Sequence, residues 1–486
     1  MRILLATGTL AYPIVRESSK GFDTVIGVSG KIAAFITPEA LKKLIEANPC
    51  DMVLVSGMCT ADFSGAEKEC GVPIFMGPRH AADLGMVLSK LESGSVTLSK
   101  TVPADELFEE SKKADALSKL KMLEENADFD FEIKGVKFGG GSRMKVLAEI
   151  MDAHKPAASV LIAKAKRFIG SGADIVDLGF GFDAAPEDVV RTFESLAPLR
   201  SSHPRTLFSV DTQNPALIKA ALPYADIVLS LHDGNMVETA ADVAARDLAA
   251  VIVPHDRPLC ENIAAARKAG IRKIIADTLI QPVGSGLTES AAECLHARDE
   301  GIDCPLFFGA GNVTELIDAD SVGVNALLAG IAKEAGASVI FTSEHSDKTL
   351  GSVAEMRRAV DMMTLMTDRP YPKDLGLSLF EIKEKRRRIT PPPEYERSVI
   401  VPEGDPDGEL EYDPRGNVRI CIEDGLIVAV HKGCAFKGKN WYDIFEALLK
   451  DDRVSLMSHA AYLGKELYKA ELALRYNRSF DQDGDF

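Results

Sequence analysis

Carboxylates close a series of short apolar runs in the middle of this chain. Glu149 and Asp152 stand at the end of MKVLAEI and just past it, Asp177 lies within ADIVDLG, Asp211 ends RTLFSVD, and Asp277 ends RKIIAD. Polar residues finish the other runs: Ser230 and His232 in and after ADIVLSL, His255 after AAVIVP, Asn312 after PLFFG, and Ser343, Glu344 and His345 at the end of ASVIFTS. If the run ends converge, several carboxylates share one site, which costs energy unless donors or a cation satisfy them. A heterocycle presenting an amino group and ring N–H donors is one solution. A divalent metal is the rival. Metal sites of this kind usually pair carboxylates with nearby His or Lys, which the tips at Asp211 and Asp277 lack.

The elements that must position these groups repeat. Apolar strands are expected at 144–150, 173–179, 205–211, 225–231, 249–254, 272–277, 305–309 and 337–343, with amphipathic helical stretches such as PAASVLIAKAKRFIGSG and CENIAAARKAG between them. Near-continuous apolar strands mean that both faces are covered, as in a closed parallel barrel; a doubly wound open sheet is the alternative. In a barrel, chemistry gathers where strands end and βα-loops begin. The fold class is α/β: a central (β/α)8 TIM barrel flanked by an N-terminal α/β layer domain and a small C-terminal α+β domain. The expected boundaries are an N-terminal domain at 1–91, a helical linker at 92–130, the barrel at 131–368, a Pro- and charge-rich linker at 369–400, and the C-terminal domain at 401–486. FEIKGVKFGGG reads as a hairpin or lid leading into the barrel. In the C-terminal domain, NVRICIEDGLIVAVHKG reads as a hairpin, followed by two helices. The spacing of Tyr462, Leu463 and Leu467 in the last helix points to packing.

Bulk properties narrow the function. With 486 residues the chain holds two or three domains, and its net charge of −17 disfavours nucleic acid. Aromatics at 6% leave little for base stacking. No apolar run is long enough for a membrane span. The start MRILLATGTL reads as a first strand rather than a signal peptide. Eight cysteines without a CxxC pair argue against zinc ribbons and disulfide frameworks and for a reducing cytoplasm. Cys59 has no identifiable partner base and reads as an inert thiol. The basic run Lys383–Arg388, just before Pro391–Pro393, reads as a solvated helix end or linker.

Several ordered segments resemble one superfamily. SVDTQNPALIKAALPYADIVLSL and GADIVDLGFG resemble strands of the pterin-binding superfamily, which contains dihydropteroate synthase and the methyltetrahydrofolate:corrinoid methyltransferases. IIADTLIQPVG followed by FFGAGNVTEL resembles the methyltransferase branch. The whole layout, ending in HAAYLGKELYKAELAL, resembles archaeal dihydropteroate synthase-related proteins of organisms that use tetrahydromethanopterin. The resemblance implies that Asp211 and Asp277 bind the pterin ring with Asn312 beside it, and Asp177 is counted with them as a pterin-binding candidate. It leaves Glu149, His255, Glu344 and His345 as second-substrate or phosphate contacts. It implies transfer of a hydroxymethylpterin to an arylamine with loss of diphosphate, no tightly bound cofactor, and Mg2+ if a diphosphate leaves. Methyl transfer to a corrinoid protein and pterin binding without catalysis are the alternatives, and a homodimer stays open.

Departures fall on the diphosphate side. The strand-7 loop reads Gly311-Asn312-Val313-Thr314 in place of a Ser-Arg-Lys-Ser motif, and the eighth strand ends FTSEHS in place of Arg-x-His. His345, Lys348, Arg143, Lys145 or the Gly139–Gly141 loop are the candidate substitutes. Each aspartate also has a plainer reading: Asp211 and Asp277 as helix caps, Asp177 as a brace of the rim. Likewise Asn312 would be an N-cap and His255 a satisfied rim histidine.

Overall fold

The computed structural model describes residues 1–367, 371–382, 394, 396–401 and 412–484, so the basic run Lys383–Arg388 and Pro391–Pro393 lie outside the described residues. The chain divides into two units, 1–379 and 380–486.

The first unit opens with a parallel sheet. Strands β1 (Ile3–Thr7), β2 (Thr24–Val28), β3 (Met52–Val55) and β4 (Ile74–Met76) pair in the order β2-β1-β3-β4. β1 and β3 are buried throughout, and apolar save for Thr7 at the end of β1, because helices cover both faces. The helix Pro38–Ala47 starts at Thr37, whose hydroxyl accepts from the Ala40 N–H at 3.3 Å. Cys59 is buried and its thiol is pushed up to about 11, as befits an inert group. The helix Glu109–Asn126 leads onward and packs Ala116 and Leu120 against Leu365 and Leu377.

A two-stranded hairpin, β5 (Phe131–Ile133) and β6 (Val136–Phe138), then precedes the barrel. Its two-residue turn places Lys134 and Gly135 at φ 49° and 79°, the left-handed pair that matches strand twist. The hairpin is a floor, not a lid over the site. Val136 and Phe138 insert among inward residues of the barrel such as Leu147, Ile175, Leu207 and Ile227. Lys134 binds Asp226, just ahead of one barrel strand, at 2.8 Å, and Arg205, just ahead of another, donates to the Gly135 carbonyl at 2.9 Å.

The barrel strands are β7 (Lys145–Ile150), β8 (Ile175–Gly179), β9 (Leu207–Asp211), β10 (Ile227–Leu231), β11 (Ala249–Ile252), β12 (Lys273–Asp277), β13 (Leu306–Phe308) and β14 (Ala337–Ser343). Each pairs in parallel with the next, and β14 closes onto β7. All eight fall where the apolar runs place them. Alternate residues point out under the helices (Val146, Val176, Phe208) and in toward the lumen (Leu147, Ile175, Leu207). The same alternation carries the lumen-facing side upward to Glu149, Asp177, Ser209 and Asp211.

The second unit holds β15 (Arg419–Glu423), β16 (Leu426–His431) and β17 (Cys434–Gly438) in one antiparallel sheet, a strand more than the expected hairpin. Helices Trp441–Lys450 and Met457–Arg475 cover it, and Leu463 and Leu467 are fully buried in its core. The Asp413 carboxylate accepts from the N–H groups of Ser455 and Leu456 and from His459, tying down the start of the last helix.

Candidate functional site

The C-terminal strand ends bring four carboxyl groups to one mouth. Register sets Glu149 of β7 opposite Asp177 of β8, Asp177 opposite Ser209 of β9, and Gly179 opposite Asp211. Carboxylate oxygens of Glu149, Asp177 and Asp211 lie within 4.8 Å of one another. Burial pushes Glu149 up to about 7, with Asp211 adding to it. Burial pushes Asp211 up to about 6 and drives fully buried Asp177 well above the carboxylate range, reinforced by Asp211 and Glu149. Burial also pushes Asp277 up to about 7, against the pull of a 2.8 Å bond from the Leu279 N–H. Near neutrality the group shares protons rather than carrying full charge, so it can both donate and accept hydrogen bonds.

Beside it opens a cleft of about 370 Å³ lined by Glu149, Asp152, Phe180, Phe182, Asp211 and Asn214, among others, a size suited to a small organic ligand. Phe182 holds its ring fully exposed at the rim, a surface for stacking a flat heterocycle.

The plainer readings are decided residue by residue. Asp211 does not cap the next helix: Asn214 does, accepting from the Ala216 N–H at 2.9 Å. Asp277 spends one oxygen on Leu279. Asn312 lies inside the short helix Gly311–Thr314, not at its cap, and donates to the Ile280 carbonyl at 3.2 Å, fastening the loop after β13 to the loop after β12. That helix comes this close because Gly311 has no side chain: a Cβ there would sit 2.4 Å from the Phe341 ring.

The remaining candidates scatter. His255 stacks on His232 with ring centres 4.2 Å apart and sits 3.5 Å from Asp233. His345 is exposed and meets Glu315 through its backbone N–H at 2.9 Å. Glu344 is a correction. Its buried carboxylate pairs with Arg167 and accepts from the Val353 N–H at 3.2 Å, joining the first and last barrel helices instead of serving the mouth. The cationic substitutes also shift. Arg143 pairs with Asp174 and Asp361, Lys145 is buried against Glu124, and Gly139 abuts Asp130 and Pro305, all at the floor. Lys348, at the mouth end, is paired with Asp318.

Sequence reasoning missed Ser209 and Phe182. Ser209 was findable, two residues before Asp211 on the same face; Phe182 is a loop residue without periodicity. Among the described residues three groups have donor atoms close enough for a cation: Glu149–Asp177–Asp211, His232–Asp233–His255 and Asp152–His154–Asp183. The first offers only oxygens, as hard cations prefer. In the second, His232 Nδ1 accepts from the Gly234 N–H at 3.1 Å, so Nε2 carries the proton and is not a free ligand.

A family model described as "Pterin binding enzyme" matches residues 150–297, and one described as "PterinBD-DUF4346" matches residues 412–483. An uncharacterized protein of Methanocaldococcus jannaschii is 33% identical over 528 aligned positions, which span 100% of this chain and 99% of the relative. Among solved structures, Yersinia pestis dihydropteroate synthase with a pterine–sulfa conjugate is 19% identical over 49% of this chain and 97% of that one, with a TM-score of 0.39. Xanthomonas albilineans dihydropteroate synthase with 4-aminobenzoic acid is 21% identical over 45% of this chain and 92% of that one, with a TM-score of 0.37. Among the described residues no helix is long and apolar enough to cross a membrane.

Proposed function

Because this chain belongs to the pterin-binding enzyme family, we propose that its barrel mouth binds a reduced pterin through Asp211 and Asp277 and transfers it as dihydropteroate synthases do. The observation that carries this reading is the set of buried carboxyls that converge beside an open cleft. The amino and ring N–H groups of a pterin repay the cost of burying them. Asp177 would stand close behind Asp211, with carboxyl oxygens of the two within 4.8 Å, and Asn312 would set the loop beside the ring. The arylamine nitrogen would attack the exocyclic methylene of a hydroxymethylpterin diphosphate. The C–N bond forms as the C–O bond breaks, diphosphate leaves with the bonding pair, and the amine proton passes to solvent. Positioning supplies much of the acceleration. Mg2+ would ride on the diphosphate as part of the substrate.

A second reading has support from the floor of the barrel. Arg143, Lys145 and the Gly139–Gly141 loop lie there, away from a diphosphate at the mouth. Methyl transfer from a methyl-tetrahydropterin to a corrinoid protein needs no such cation. The two are separated by incubating the chain with pterin diphosphate plus a ribosylated arylamine, and separately with methyl-tetrahydromethanopterin plus cob(I)alamin. A pteroate-type product supports the first reading and methylcobalamin the second. Neither product, with pterin binding retained in calorimetry, leaves a binding protein. Unchanged pterin affinity in both Asp211→Asn and Asp277→Asn overturns the site.

A further inference from the structure

We propose that Asp152, His154 and Asp183 form a binding site for a first-row divalent transition cation on the rim of the barrel mouth. The three come from the loops that follow β7 and β8, and one donor atom from each lies within 4.8 Å of the other two. The site adjoins the cleft that Asp152 and Asp211 both line and does not rest on the pterin reading.

Two observations point to a ligand here. The first is His154. Its side chain is 7% exposed, and neither ring nitrogen has a hydrogen-bond partner among the described residues. The ring lies against Phe180, and Nε2 stops 3.5 Å from Asp183 Oδ1. A buried imidazole with both nitrogens unused is costly unless something binds it. The second is that a cation already occupies the spot. The Lys155 ammonium bridges Asp152 at 2.9 Å and Asp183 at 3.3 Å, so the two carboxylates are held around one positive charge. Lys155 is 50% exposed and its stem is flexible. It can swing into solvent and leave both carboxylates to a dication, which the imidazole then joins.

One nitrogen and two carboxylate oxygens suit Mn2+, Fe2+, Co2+ or Zn2+ better than Mg2+, which prefers all-oxygen octahedra. Three protein donors leave open positions, and Asp152 lines the cleft. Those positions would take water or an anionic group of whatever the cleft holds.

The test is a Co2+ titration of the full chain, following visible d–d absorption and heat. The expected result is one Co2+ per chain. Loss of a ligand in His154→Ala or Asp183→Asn should weaken binding at least as much as loss of an outer-shell partner, about 10–100-fold, while Lys155→Met should tighten it by removing the competing ammonium. Asp183 and Lys155 are exposed, so those two variants keep the test sound if His154→Ala fails to fold. Absence of binding, or equal binding by wild type and Asp183→Asn, overturns the proposal. So does Co2+ that is lost in His255→Ala but kept in the His154 and Asp183 variants.

Discussion

Ser209 donates its hydroxyl to Oδ1 of Asp177, while Oδ2 of the same carboxylate lies buried with no hydrogen-bond partner among the described residues. A fully ionised Asp177 would be badly under-satisfied, so burial and the neighbouring Glu149 and Asp211 keep its proton on. Asp177→Asn mimics the protonated form and brings N–H donors to Glu149 and Asp211. We expect it to be as stable as wild type or more so at pH 8, by up to about 2 kcal/mol in urea melts. Ser209→Ala removes the hydroxyl donor to that carboxyl and should cost about 1–3 kcal/mol. An Asp177→Asn protein clearly weaker than wild type at pH 8 would show that the carboxylate is ionised and satisfied.

The carboxyl cluster also predicts the sign of the pH dependence. Glu149 and Asp277 are raised to about 7 and Asp211 to about 6. A carboxyl raised in the folded state contributes stability that is fully present below its unfolded value and lost as pH rises through the folded one. The unliganded protein should therefore lose stability between about pH 4 and pH 7. The loss is roughly 3 kcal/mol for one isolated group shifted this far, and the coupled set will fall short of a sum. Affinity for a ligand rich in N–H donors runs the other way, because ionised carboxylates accept. Pterin binding should tighten from pH 5.5 to pH 8. Calorimetry across that range would sink the idea if affinity fell or stayed flat.

Phe138 is fully buried at the base of the barrel beside Val136 and Leu147. Phe138→Ala opens a void there and should cost about 3–5 kcal/mol. Because the hairpin is a floor, the association rate of a pterin measured by stopped flow should not change. A faster rate would mean that the hairpin gates the site after all.

What could be read from residues alone follows from burial. The barrel strands were legible because both faces are covered, which leaves near-continuous apolar runs such as RTLFSVD and RKIIAD. Asp211 and Asp277 stood out because an ionisable group at the end of such a run is expensive. Glu344 misled because it lies one residue past β14, where direction is no longer set by alternation, and it turned to Arg167. Arg143 precedes the first barrel strand and Lys145 opens it, so both belong to the floor, a consequence of parallel topology. β17 escaped because Lys432 and Gly433 make a tight turn into a short, largely solvent-facing strand. His154 carried no signal, since its meaning lies in the lack of a partner, which only packing reveals.

The Glu344–Arg167 pair gives a last prediction. Glu344 is buried while Arg167 is partly exposed, and the Val353 N–H needs the same carboxylate. Glu344→Gln keeps an acceptor for Val353 and loses only the charge, so it should cost about 1–2 kcal/mol. Glu344→Ala leaves a buried N–H unsatisfied beside a small cavity and should cost about 2–4 kcal/mol. Both variants should bind pterin as wild type does at a temperature where they remain folded, because the side chain spans two helices and not the mouth. A Glu344→Gln protein with unchanged melting temperature but markedly weaker ligand binding would put the carboxylate back among the substrate contacts.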